Sequence, residues 1–491
     1  MPDRARTFYI ENLGCPKNAV EGEGMAERLR RAGYLPVETA SLADVIVINT
    51  CAFIRPAQEE SIDRLFYYLH RRRPGQRVIA AGCLAERFGE ALDREIPELD
   101  GIIGTRRWYE IDRLVEAVER GLRACWHGAA PAEDPTFQRR ASGPTAYVKI
   151  AEGCNMSCTF CAIPSFKGPQ RSKPPEEIIE EIRQLVAGGV HEVILVSQNT
   201  TAYGFDLAHE PAVPGEGRTR LARLLEAICR AVPELPWLRF HYCYPGWVDD
   251  DLLRTMARLD QVVKYLDIPL QHAHPEILRA MNRPRDMAQV KALLARAREL
   301  MPDVALRTTF IVGFPGETEE HFEAVLRLME EIEFDHVGVF PFFAEEGTPA
   351  ARLPGQVGER TKLARKRRLL EAQQAISLAR NQRFVGRDLE VLVEGSAEES
   401  AGVTAAHGGQ RLVGRTFRDA PEVDGLVLFS GRAGRGAFAR VRITGAGPYD
   451  LFGYEAGTEP PPVAGQIGGR PTRTTPAARI GRKALPVLQP R

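Results

Sequence analysis

The sequence carries no surplus of charge, with 65 Lys plus Arg against 65 Asp plus Glu over 491 residues. That removes the bulk electrostatic pull by which a protein lives on DNA or an anionic membrane, although local patches stay open. No apolar run reaches the roughly 18 residues a bilayer span needs. The start, MPDRARTFYIENLG, lacks the apolar stretch and small-residue cleavage site of a signal peptide, so we expect a cytoplasmic chain with neither membrane nor DNA as partner. Cysteine is scarce and odd in number, nine in all, which excludes a disulfide scaffold and turns attention to metals and reactive thiols. No internal repeat is visible. With 44% hydrophobic and 26% charged residues, collagen-like and wholly disordered classes drop out.

What is there is enough chain for about three domains. The fold class expected is α/β: an N-terminal parallel α/β domain, a (β/α) barrel and a small C-terminal β-barrel. Over residues 1–126, β-branched runs at 7–10, 45–48 and 78–81 alternate with helical patterns at 18–32 and 57–69, a parallel βαβ rhythm. Residues 127–144, HGAAPAEDPTFQRRASGP, have no periodicity and read as a linker. From 145 to 375 a second series brings strands at 147–150, 192–196, 237–241, 263–268, 305–312 and 336–340, about six βα units, hence a partial or full barrel with working residues at the C-terminal strand ends. One of its helices is fixed by Ile178, Ile179, Ile182, Leu185 and Val186 on one face, Pro174 and Pro175 before it and Gly188-Gly189 after it. A basic helical connector spans 359–380, where Arg365 to Arg368 read as a solvated face. Four strands at 389–393, 412–418, 425–430 and 438–444 give the barrel over 378–455. Residues 456–491, rich in Pro, Gly, Thr and Arg, read as a disordered tail.

Three cysteines crowd into Cys154-Asn-Met-Ser-Cys158-Thr-Phe-Cys161, directly after the first barrel strand. Soft thiolates suit zinc or iron-sulfur. A structural zinc site wants a fourth ligand and usually a second Cys/His pair some 12 to 20 residues on, which is missing. Three ligands leave one iron of a 4Fe-4S cluster open, and an open iron can chelate a substrate. Cys15, Cys51 and Cys83 each fall just past a successive N-terminal strand, where open α/β sheets place their ligand crevice. Each alone reads as a small buried hydrophobe; together, at three successive strand ends, they read as three thiols converging on one site. Cys125, Cys229 and Cys243 follow no such spacing and read as packed thiols. His241, His272 and His336 read as hydrogen-bonded structural histidines, and Asp44 and Glu152 as local caps or surface charges. No catalytic role is assigned beyond the clusters.

A CxxxCxxC loop at the first strand end of a six-unit barrel resembles the radical S-adenosylmethionine (SAM) superfamily. That resemblance implies a reduced 4Fe-4S cluster that passes an electron to SAM, giving methionine and a 5′-deoxyadenosyl radical able to take hydrogen from an unactivated carbon. It also places Phe160 beside the adenine, and Ser197, Gln198, Asn199 and the stretch from Ile311 to Gly313 around SAM. Asn12-Leu-Gly-Cys15-Pro-Lys-Asn18, Asn49-Thr-Cys51-Ala-Phe-Ile54 and Ala81-Gly-Cys83-Leu resemble the three cysteine motifs of methylthiotransferases, which hold a second 4Fe-4S cluster, and the terminal barrel resembles their TRAM domain. By this resemblance one SAM supplies the methyl group carried by sulfur and another supplies the radical.

Two branches of that family share the architecture, one modifying transfer RNA adenosine and one modifying an aspartate β-carbon of small-subunit ribosomal protein S twelve. Gly14-Cys15-Pro16-Lys17-Asn18, Cys161-Ala-Ile-Pro164, Asn199-Thr-Thr-Ala-Tyr-Gly204, Asp267-Ile-Pro-Leu-Gln-His272 and Arg307-Thr-Thr-Phe-Ile-Val-Gly313 are similar to the second. The partners so implied are that protein, free or in the ribosome, and a reductant protein. One departure is Lys167 and Lys173 where that branch leads us to expect arginines, which removes bidentate contacts and leaves that segment's role open. From Leu378 to Glu455 ten Arg and no Lys face ten Asp plus Glu, a balance better suited to a basic protein partner than to gripping RNA. The competing readings are the transfer-RNA enzyme and a ribosome- or RNA-binding assembly factor whose clusters are structural.

Overall fold

A computed structural model describes residues 6–129, 139–141, 143–207, 220–396 and 410–458. Much of the expected linker and nearly all of the expected tail lie outside the described residues. The chain forms two compact units, Met1–Ile332 with Val337–Leu370, and Glu333–His336 with Glu371–Arg491.

The first unit begins with a six-stranded parallel sheet in the order Leu35–Pro36, Thr7–Asn12, Val45–Thr50, Arg77–Gly82, Gly101–Gly104, Ala124–Trp126. Two of its central strands, Val45–Thr50 and Arg77–Gly82, are buried almost throughout because both faces are covered. Ile46, Ile48, Val78 and Ala80 enter one core, while Val45, Val47, Ile79 and Ala81 enter the other. Each of the three central strands ends at a cysteine. Cys15 caps the helix Pro16–Arg31, where Pro16 supplies the fixed φ that favours a first helical position. Cys51 follows the strand Val45–Thr50, and Cys83 opens the helix Cys83–Glu95.

Six further strands of the same unit form an open arc. Thr145–Lys149, Glu192–Val196 and Trp237–Phe240 make one parallel group. Tyr265–Asp267, Ala305–Val312 and His336–Pro341 make another, and a lone parallel bridge between Leu238 and Val262 joins the two groups. This is the partial form of the expected barrel. Glu345, in the loop after its last strand, binds Arg87 at 3.1 Å, the Arg55 N–H at 2.7 Å and Gln58 at 2.8 Å, fastening the N-terminal sheet domain to the arc.

The helix Glu359–Gln382 carries the chain from the first unit into the second. Its Arg365 corrects the expected solvated face: it is buried and pairs with Glu317 at 2.8 Å, whereas Arg367 and Arg368 are exposed. The second unit is a closed barrel of five strands, Asp388–Ser396, Gln410–Arg415, Val427–Gly431, Phe438–Ala446 and Leu451–Glu455. Only four were expected. The missing one, Leu451–Glu455, pairs with both Val427–Gly431 and Phe438–Ala446 and so closes the sheet. Among the described residues no helix is long and apolar enough to cross a membrane.

Candidate metal centres

Backbone geometry brings the first three cysteines together. Gly14 adopts φ +89°, and a Cβ there would lie 2.8 Å from the Cys51 Sγ, so the Cys15 loop passes directly over Cys51. Asn18, buried one turn into the helix, ties all three loops. Its Nδ2 donates to the Leu13 carbonyl at 3.1 Å and the Thr50 carbonyl at 2.9 Å, and its Oδ1 accepts from the Cys83 thiol at 3.4 Å. Ser61 clamps Cys51 from behind, accepting its N–H at 2.9 Å and donating to its carbonyl at 3.0 Å. Burial pushes the Cys51 thiol up to about 11, and Cys15 adds to the rise. Cys83 is driven up by burial too, opposed by the nearby Lys167 ammonium and reinforced by Glu21, Cys51 and Cys15.

The other triplet lies on the loop after the strand Thr145–Lys149 and is strapped from outside. The Cys154 N–H donates to the Gly168 carbonyl at 3.1 Å, and Thr159 is held by the Met281 and Ala280 carbonyls. Asn282 donates to the Ser157 carbonyl and hydroxyl at 3.0 and 2.7 Å. Arg283, stacked over Tyr244 at 4.1 Å, places Nη1 3.9 Å from the Cys158 Sγ. Burial raises the Cys161 thiol to about 12, with Cys158 and Cys154 adding to it and the Ile163 N–H opposing it.

Three thiolates crowded into a low-dielectric site need a cation, which is the condition a metal centre meets. Among the described residues the one group of three His, Cys, Asp or Glu ligand atoms within 4.8 Å of one another is His274, Glu276 and His321. The histidine group serves helix starts instead: the Nδ1 of His274 accepts the Glu276 N–H, and that of His321 accepts the Thr318 N–H.

Cofactor-sized contacts are available beside the second triplet. Phe160 and Ile311 pack on one cluster with Phe314 and Phe342. Gln198 Oε1 and Asn199 Nδ2 are buried with no hydrogen-bond partner, and such orphaned atoms fit a polar ligand. Ser197 pairs with Thr200, and the Gly313 N–H donates to Glu317. His272 lies buried, its Nδ1 accepting the His274 N–H. His336 contacts the Arg418 carbonyl at 2.9 Å inside the second unit, far in sequence from either triplet. Asp44 accepts the Thr7 N–H and hydroxyl, a local cap as expected. Cys125 packs at the edge of a core, and Cys229 and Cys243 are buried in the arc.

Glu152 is neither a cap nor a surface charge. It binds Lys167 at 2.9 Å and Lys149 at 2.5 Å, and accepts from Gln198 at 2.9 Å. The same two lysines bind Glu21 of the N-terminal helix at 2.8 and 3.0 Å, and Thr105 donates to Glu21 at 2.6 Å. Burial opposes the Glu152 charge, yet Lys149 and Lys167 hold its carboxyl well below the usual range. Lys167 ends the helix Ile163–Lys167, which starts two residues after Cys161. That helix buries Ala162 and Phe166 in the core that contains Cys83 and Leu13. One turn and a half of helix, about 7.5 Å by the usual rise, leads from one triplet to the ammonium felt by the other. Lysine suits this place because a compact ammonium meets three partners at once; Lys173 binds Glu181 at 3.0 Å. Glu21, Asn282, Arg283 and Glu345 carried no pattern that sequence alone would single out.

Models of known families match three stretches: the radical SAM superfamily at residues 148–329, an uncharacterized protein family, UPF0004, at 7–104, and a TRAM domain at 385–454. The ribosomal protein uS12 methylthiotransferase RimO of Roseiflexus sp. (strain RS-1) is 44% identical over 469 residues, covering 91% of this chain and 96% of its own. The protein of the same name from Anaeromyxobacter sp. (strain K) is 41% identical over 492 residues, covering 98% of this chain and all of its own. Among solved structures, the radical SAM methyltransferase TsrM of Kitasatospora setae, with cobalamin and a 4Fe-4S cluster bound, matches 70% of this chain and 77% of its own at TM-score 0.52 and 16% identity, a likeness of fold.

Proposed function

The chain belongs to the radical SAM methylthiotransferase family, in the branch of the uS12 enzymes, and from that premise we propose that it methylthiolates the β-carbon of an aspartate in ribosomal protein uS12. Cys154, Cys158 and Cys161 are the ligands of a 4Fe-4S cluster with one iron left for SAM, and Cys15, Cys51 and Cys83 hold a second 4Fe-4S cluster. When bound, these groups and SAM supply a 5′-deoxyadenosyl radical that takes a hydrogen atom from carbon, and the sulfur that is added in its place. The protein's own part is placement. Asn18 and Ser61 fix the loops of the first triplet, and Asn282, Thr159 and Arg283 fix the loop of the second. Phe166 and Ala162 pack in the apolar core that holds Cys83. Gln198 and Asn199 offer SAM their unpaired amide atoms. The reductant is a low-potential electron-carrier protein, and uS12 is met free or in the ribosome.

The observation that supports this reading is the helix Ile163–Lys167, which starts two residues after Cys161 and ends at the Lys167 ammonium beside Cys83, as a common place for radical and sulfur chemistry requires. Anaerobic reconstitution should yield about eight irons per chain, the content of two 4Fe-4S clusters. A value of about four that is unchanged by Cys15→Ala, Cys51→Ala and Cys83→Ala would refute the second cluster. Incubation with SAM, sulfide and reductant should add one methylthio group to uS12, read by mass spectrometry. Product on transfer RNA alone would move the chain to the other branch.

A further inference from the structure

The motif Gly14-Cys15-Pro16-Lys17-Asn18 contains one cation, Lys17, whose charge favours the thiolates of Cys15 and Cys51 beside it and is matched by no ion pair among the described residues. Lys17 stands in the first turn of Pro16–Arg31, where the helix dipole disfavours a cation and no acidic residue compensates it. Its ammonium lies 3.8 Å from the ring centroid of Tyr242, and among the described residues no carboxylate pairs with it. The nearby carboxylates Glu21 and Glu152 are already engaged by Lys149 and Lys167. A ring face stabilises a cation without neutralising it, so the charge stays available to an anion.

Tyr242 is set in place at a cost. It takes φ +66°, a conformation that a bulky residue rarely adopts. Its N–H donates to Asp267 at 3.0 Å and its carbonyl accepts from the Thr200 N–H at 3.1 Å. Strain held in this way at a barrel strand end marks a residue whose position matters. The ring thereby presents Lys17 beside Cys15, between the sheet domain and the arc of the first unit.

We propose that the Lys17 ammonium, held on the Tyr242 ring next to Cys15, binds the side-chain carboxylate of the aspartate to be methylthiolated and so sets the choice of residue. The inference rests on the uS12 reading. The carboxylate is bonded directly to the β-carbon, so fixing the one places the other within a single bond of its anchor. Asparagine has the same shape without the charge, and it is the residue this anchor rejects.

The test is a double-mutant cycle on the reconstituted holoenzyme. Binding of labelled uS12, and of uS12 with its target aspartate changed to asparagine, is measured by fluorescence anisotropy for wild type, Lys17→Met and Lys17→Arg. Wild type should prefer the aspartate form by about 10-fold to 100-fold, the worth of one charge-assisted hydrogen bond. Lys17→Met should lose that preference, Lys17→Arg should keep part of it, and iron content should be equal in all three. If Lys17→Met does not retain its iron, Lys17→Gln takes its place in the cycle. The inference is overturned if the charge-free variant keeps the full preference, if it weakens both forms alike, or if wild type shows no preference. A wild-type enzyme that methylthiolates uS12 while the cycle shows no coupling rejects the Lys17 assignment alone. A wild-type enzyme that makes no product on uS12 removes the reading beneath it.

Discussion

Asn18→Ala is the substitution that tests most directly how the Cys15, Cys51 and Cys83 loops are held. It removes donors at 3.1 and 2.9 Å from the Leu13 and Thr50 carbonyls and an acceptor 3.4 Å from the Cys83 thiol, at a fully buried position. Each hydrogen bond is worth about 1 kcal/mol, and a carbonyl left buried without a partner costs about 1–3 kcal/mol. Two carbonyls therefore sum to about 2–6 kcal/mol. At about 1.36 kcal/mol per decade this speeds local opening by about 30-fold to 30,000-fold. Native-state hydrogen exchange reads it at the amides of Leu13, Ala19 and Cys51, which are bonded to the Asn49 carbonyl, the Cys15 carbonyl and the Ser61 hydroxyl. Asn18→Asp should be worse than Asn18→Ala, because it turns a carboxylate oxygen toward two carbonyls. Exchange within about 3-fold of wild type at all three amides, against the expected loss, would show that Asn18 does not tie these loops together.

Lys167→Met leaves Glu21 and Glu152 to share Lys149 alone; breaking a buried pair costs about 3–5 kcal/mol, so calorimetry of the first unit should show a clear fall in melting temperature, and an unchanged melt would refute the network. Glu181 gives a pH signature: burial opposes its charge, but Lys173 and Arg139 hold the folded carboxyl below its ordinary value of 4.5. Its contribution is thus complete above the unfolded pKa and is lost as pH falls through the lower folded value. The drop in melting temperature between pH 6 and pH 4 should therefore be smaller in Glu181→Gln, and parallel pH profiles would contradict this.

Much of the architecture is written locally. Runs such as Val45–Thr50 are apolar on both faces because helices cover both sides of the sheet, and Cys51 and Cys83 could be placed because each follows such a run. Two side chains depart from their expected setting because their partners lie far away in the chain. Glu152 looks like a surface charge until Glu21, over a hundred residues earlier, brings the opposing face to it through Lys149 and Lys167. Arg365 reads as solvated until Glu317 takes it in. Leu451–Glu455 is not legible for a second reason: its short sequence, LFGYE, alternates poorly. Its central Gly453 is needed for contact, because a Cβ there would lie 2.3 Å from the Arg442 carbonyl.

The five residues from Ile163 to Lys167 also constrain how such an enzyme is inherited. They belong by sequence to the arc and by packing to the sheet domain: Phe166 is spent inside the neighbour's interior, and the Lys167 charge is answered by the neighbour's Glu21. An arc produced without its sheet domain would bare an aromatic ring and leave the Lys149 and Lys167 ammoniums to share Glu152. The two modules should consequently travel together through duplication and fusion, with exchange between relatives tolerated only when this short splice moves as a matched set.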